Sequence, residues 1–115
     1  MRPVEQPLLA FPKRFTALDA MTNPAPAPFH NEAEQRFEVR EGELVAVMDY
    51  APVDGRVAFT HTFVPDAWRG RGIAAILVRA ALDEARRRGW RVIPQCSYVA
   101  VFISRHPEYA DLAVS

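Results

Sequence analysis

Val64-Pro65-Asp66-Ala67-Trp68-Arg69-Gly70-Arg71-Gly72-Ile73-Ala74 is the stretch on which the fold turns. The residues before it, Arg56 to Val64, are rich in β-branched and aromatic side chains and read as a strand. The residues after it change period: Ile73, Leu77, Ala81 and Ala85, flanked by Ala74, Val78 and Leu82, form an apolar stripe at helical spacing. Arg79, Asp83, Glu84 and Arg87 fall on the other side, which predicts a helix from about Arg71 to Arg88, stopped by cations and then Gly89. Asp83–Arg87 and Glu84–Arg88 are spaced as favourable i,i+4 pairs. Gly70 and Gly72 strip side chains from the point where the helix begins. The first amides of a helix lack internal partners and carry its partial positive charge, so bare backbone there makes a phosphate cradle. Arg69 and Arg71 can add charge-assisted hydrogen bonds. Two plainer readings stand beside this one: a tight turn that needs glycine, and an Arg-Gly patch contacting RNA. Such patches sit in disordered repeats, whereas this one occurs once and abuts a strong helix.

Working outward, Arg36 to Arg40 alternates polar and apolar residues as a half-buried strand does, Glu41-Gly42 marks a turn, and Glu43 to Tyr50 is a second, mostly buried strand. Asp54-Gly55 marks the next turn. These two strands and the one from Arg56 to Val64 read as an antiparallel meander. Beyond the helix, Trp90 to Pro94 is a short fourth strand, which a right-handed crossover places parallel to the third. A second helix runs from Ser97 to Arg105 and closes at His106-Pro107. The fold class is therefore α/β, a small mixed sheet with one long and one short helix.

Residues 1–30 differ from the rest. They hold six of the ten prolines, and Asn23 to Pro28 is expected to be extended and mobile. Order is expected to begin near Gln35, with 31–115 as the folded domain. Met21 is a second candidate start, which would make 1–20 an over-extended reading frame; a natural tail is the alternative.

The chain of 115 residues fits one domain, and half of it is hydrophobic with 24% charged, a balance that excludes a disordered protein. Fourteen basic residues match fourteen acidic ones, which argues against a dedicated nucleic-acid binder. The single cysteine, Cys96, rules out an intrachain disulfide and suits a reducing cytoplasm. No apolar run approaches the roughly 20 residues of a membrane span.

A Walker loop would need Gly-Lys-Ser/Thr, which is missing, and a dinucleotide fingerprint is met only in relaxed form by Gly70, Gly72 and Ala75. Arg69 to Ala74 instead resembles Arg/Gln-x-x-Gly-x-Gly/Ala, the pyrophosphate loop of the GNAT N-acetyltransferases. Thr60-His61-Thr62-Phe63-Val64-Pro65 before it and Cys96-Ser97-Tyr98-Val99 after the next strand resemble the motifs of very short, single-domain members. The likeness covers residues 35–112. It implies a compact GNAT-like fold and transfer of an acetyl group from acetyl-CoA to an amine, a small molecule or a lysine, with no metal. It implies pyrophosphate on the backbone of Arg69, Gly70, Arg71, Gly72, Ile73 and Ala74. The pantetheine arm then lies in a gap where the third and fourth strands diverge, bonded to backbone from about Phe63 and Val64 to Trp68, and the thioester lies near Cys96. The partners implied are acetyl-CoA and an amine acceptor, without nucleic acid or membrane, and the chain is expected to be a monomer or weak dimer. An acyl-CoA-binding module without turnover is the alternative.

The usual general base and acid of the family are missing. Phe63 stands where short relatives carry Glu, and the usual Tyr position falls near Ser104. Cys96 is the replacement candidate: at a helix N-terminus, where thiolate is favoured, it can accept the acetyl group or protonate the leaving thiolate. The plainer reading is a small buried apolar residue. His61 is a candidate proton relay for the amine, expected in the cleft or under the second helix, with a structural histidine as its alternative. Tyr98 and Tyr109 read as core or lid, and Arg86-Arg87-Arg88 as a solvated helix end.

Overall fold

A computed structural model describes residues 27–114. Five strands lie in the order β1-β2-β3-β4-β5: Phe29–Asn31, Arg36–Glu41, Leu44–Val53, Arg56–Phe63 and Val92–Pro94. The first four pair antiparallel, and β5 joins β4 in parallel through Val57↔Val92, Ala58↔Ile93 and Phe59↔Pro94. Helix α1 (Ile73–Arg88) makes the crossover between β4 and β5, and α2 (Ser97–Arg105) follows β5. The expected meander, crossover and helices are all present.

The sheet begins earlier than expected. Phe29–Asn31 is already a strand of the domain, paired with β2. Three residues with one apolar side chain carry no readable period, so this element leaves little mark on the sequence. What holds it is the His30 ring, stacked on Phe37 at 4.2 Å and bonded through Nε2 to the Tyr50 hydroxyl at 2.6 Å. The readings on Met21 and on most of the proline-rich stretch fall outside the described residues.

Cross-strand partners share a face, so Phe37↔Met48 and Val39↔Ala46 turn these four toward the helices. Leu77, Val78, Ala81, Leu82 and Ala85 of α1 are fully buried against them, as is Val99 of α2. Burying a Leu or Val side chain stabilises by roughly 1.5–3 kcal/mol, so this stripe is what fastens α1 to the sheet. The helix ends in a Schellman motif, the Trp90 amide donating to Ala85 O at 2.8 Å across Gly89. The opposite face of the sheet carries no helix among the described residues.

A 3₁₀ segment, Pro107–Leu112, adds to the expected elements. It folds back over α1: Tyr109 donates to Asp83 at 2.6 Å, and Arg86 grips Asp111 with two nitrogens at 3.0 and 2.8 Å. The Glu84–Arg88 pair forms as expected. Asp83–Arg87 does not, because Tyr109 takes the Asp83 carboxylate and Arg87 turns to Glu84. The arginine run at the helix end is thus engaged with acids, Arg88 also reaching Glu32 at 2.6 Å.

Candidate active site

The site is built where β4 parts from β5. Pairing between them ends at Phe59, whose carbonyl accepts the Cys96 amide at 2.9 Å. From Thr60 to Phe63, β4 pairs with β3 alone, so its other edge is open. This is the divergence that the resemblance implied.

A bulge in the same strand decides which side chains face the gap. Asp49 lies opposite His61 and Tyr50 opposite Phe59, leaving Thr60 as the extra residue. Its hydroxyl donates to Asp49 O at 3.2 Å. Before the bulge Phe59 faces the helices; after it Thr62, paired with Met48, takes that face, and His61 and Phe63 turn to the other.

Past β4, the 3₁₀ turn Asp66–Trp68 buries the Trp68 indole and leads into Gly70 and Gly72, both left-handed at φ 82° and 75°. These conformations favour glycine and let the chain swing directly into α1. No side chain caps the helix, no acid stands in its first turn, and the amides of Ile73, Ala74 and Ala75 have no backbone partner among the described residues. They border a cleft of about 320 Å³ lined by Thr62, Val64 and Trp68, by Arg69, Gly70 and Gly72, by Ile73 to Ala75, and by Tyr98. A second hollow of about 170 Å³ shares Ala75 and Tyr98 with it and adds Arg79, Phe102, Arg105 and His106.

Cys96 stands next to the lining residue Thr62. Its sulfur is 3.5 Å from the hydroxyl of Thr62, which lines the cleft, and it occupies the N-cap position of α2. Burial acts to raise the thiol pKa. The Thr62 hydroxyl, the Val99 and Tyr98 amides and the Thr62 backbone outweigh that and hold it below the usual thiol value.

Of the predicted residues, the structure gathers Val64, Arg69, Gly70, Gly72, Ile73 and Ala74 on one cleft, with Cys96 joined to it through Thr62. Three others stand apart. Arg71 turns from the cleft to Glu41, with its nitrogens 3.0 and 3.5 Å from the two carboxylate oxygens. Phe63 is half exposed on the helix-free face. His61 is exposed beside Asp49 on that face, so it lies neither in the cleft nor under α2. The bulge is the reason. Thr62, Ala75 and Tyr98 are lining residues to which the sequence reading gives no part in holding the cofactor, Tyr98 being read there as a lid or core group. The alternation Thr62-Phe63-Val64 is the available signal for Thr62.

The sequence profile of the GCN5-related N-acetyl-transferase family matches residues 36–112. This chain belongs to that family. It is 38% identical to the bovine Protein NATD1 over 81 residues, covering 68% of this chain and 72% of that one. The human Protein NATD1 is 36% identical over the same length, with the same shares covered. In structure it is similar to a GCN5-like protein from Staphylococcus aureus solved in solution, with a TM-score of 0.62 at 25% identity, covering 77% of this chain and 88% of that one. The chain is therefore an N-acetyltransferase of the GNAT type with the mixed α/β fold of that family. Among the described residues no cluster of His, Cys, Asp and Glu is arranged to hold a metal ion, and no helix is long and apolar enough to cross a membrane.

Proposed function

We propose that this enzyme takes its acetyl group from acetyl-CoA and delivers it to a primary amine that approaches from the helix-free face of the sheet. The observation that carries the reading is the uncapped start of α1, whose free amides open on a cleft that reaches Thr62, the residue in contact with Cys96. That donor set fits a pyrophosphate, and the open β4 edge fits an amide-bearing arm. Ile73 to Ala75 would hold the phosphates through backbone, with Arg69 adding charge. Thr62, Val64 and Trp68 would flank the arm. Arg79 and Arg105, in the neighbouring hollow, offer cations to the nucleotide end.

Bound acetyl-CoA supplies an acyl group already activated as a thioester. The protein's own part is to manage protons on two sides of one strand. On the helix side, the Cys96 thiol is the group placed to give a proton to a departing thiolate, and Thr62 orients it. On the other side, His61 stands beside Asp49 at the end of the gap, where it can take a proton from the incoming ammonium. Separating the two groups by the sheet suits a reaction in which cosubstrate and acceptor arrive from opposite sides.

Two measurements test this together: CoA binding by calorimetry, and thiol release from acetyl-CoA with a panel of small amines and lysine peptides. Binding with amine-dependent release is expected. Absence of CoA binding, or binding with no release from any amine, would refute the proposal.

A further inference from the structure

The two arginines of the glycine loop are held differently. Arg69 lines the cleft, with Asp66 as an exposed neighbour at 3.0 Å. Arg71 lies over the Trp68 ring at 5.6 Å and is gripped by both oxygens of Glu41, the last residue of β2 and thirty positions away in sequence. A carboxylate and a phosphate ask the same thing of a guanidinium: two parallel N–H donors and one positive charge. While Glu41 takes that fork, Arg71 has less to offer an anion on the amides of Ile73 to Ala75.

We propose that Glu41 is an intramolecular competitor for Arg71, a latch that lowers the affinity of the loop for pyrophosphate and so eases release of CoA after transfer. The inference rests on the reading of the loop as a CoA site. Arg71 sits between Gly70 and Gly72, which border the cleft, so a change of rotamer rather than of fold transfers it from carboxylate to phosphate. Glu41 is a positioning residue in this scheme: it acts through Arg71 and touches no reacting atom. Glu43, exposed on the same turn and without an ion pair among the described residues, provides the control for simple charge repulsion.

The test is CoA affinity by calorimetry at low ionic strength for the wild type, E41Q, E43Q, R71Q and E41Q/R71Q, each checked for an unchanged melting profile. A solvent-exposed ion pair is weak, so removing the competitor should tighten CoA by about 1.5- to fivefold. E43Q should leave affinity unchanged. In the R71Q background E41Q should have no effect, which is the signature of action through Arg71. If E41Q weakens CoA, Glu41 is a scaffold for the loop and the latch is wrong. Equal affinities for wild type and E41Q, or equal tightening by E41Q and E43Q, also overturn it. A wild type that fails to bind CoA at all overturns the loop assignment together with the latch, whereas the other outcomes leave the assignment standing.

Discussion

Gly72 is where the proposed phosphate site and the backbone conformation can be tested apart. It caps α1 at φ 75° and ψ 20°, it borders the cleft, and a Cβ added there would meet nothing within 4 Å beyond its chain neighbours. A side chain at 72 therefore costs the fold only its backbone strain. For valine at a left-handed position that strain is about 1–2 kcal/mol or somewhat more, which in a domain of this size lowers Tm by roughly 5–15 °C. Asparagine tolerates the same conformation far better. Gly72→Asn should thus melt close to the wild type and yet put an amide side chain over the donors of Ile73 and Ala74. Loss of one hydrogen bond to a charged group costs about 1.5–3 kcal/mol, so CoA should bind about tenfold to a hundredfold more weakly. Calorimetry with CoA and a thermal melt on the same sample read both quantities. A folded Gly72→Asn variant with wild-type affinity would show that the pyrophosphate does not lie on this loop. Gly72→Val adds a check on the strain argument, since it should lose both affinity and stability.

Cys96→Ala should retain CoA affinity and lose most transfer activity, and full activity in that variant would leave Cys96 as packing. In the wild type, thiol alkylation should rise with pH around a midpoint below the usual thiol value, and acetyl-CoA should slow it. His30→Ala should lower stability by about 1–3 kcal/mol, because the ring is stacked on Phe37 and bonded to Tyr50; a denaturant midpoint equal to the wild type's would contradict the role given to β1. Burial chiefly lowers the His30 pKa, so its neutral form is favoured by the fold. That contribution is complete above the ordinary pKa of 6.5 and declines as the pH falls below it, a slope that His30→Ala should flatten. Glu38 is buried between Arg36 and Arg40, at 2.6 and 2.8 Å; burial pushes its carboxyl up, but these arginines and Asn31 hold it at about 2. Glu38→Gln should cost about 1–3 kcal/mol near neutral pH, with the gap to the wild type closing as the pH falls from 4.5 toward 2.

The parts of this molecule that repeat were legible in the sequence. The stripe from Ile73 to Ala85 gave α1 because burial at helical spacing admits one answer, and the glycines around Arg71 marked its start. The alternation from Arg36 to Tyr50 gave two strands for the same reason. What escaped depends on contacts far apart in the chain. Phe29–Asn31 is a strand because His30 finds Phe37 and Tyr50, and nothing local announces that. Pro107–Leu112 reads as the end of a chain until Arg86 and Asp83 are brought beside it. At the site, the glycine loop was visible as a motif, whereas the orientation of His61 was not. A bulge shifts every later side chain of the strand to the other face, and Thr60 carries no composition that marks it as the extra residue.

That bulge makes the side taken by each group at the gap a question of register rather than of residue type. Counting along β4, one unpaired residue sets the reading frame of side chains against the sheet, much as a single inserted letter shifts every later codon. Removing Thr60 would leave Phe59, His61 and Thr62 in plain alternation against Tyr50, Asp49 and Met48, so His61 would stay on the acceptor side and Thr62 beside Cys96; pairing Thr60 into the ladder instead would bring His61 opposite Met48, to the position that Thr62 holds. A strand of this kind can gain or lose one residue at the bulge while its proton carriers keep their sides, and it exchanges them only if the bulge is flattened with its extra residue in place.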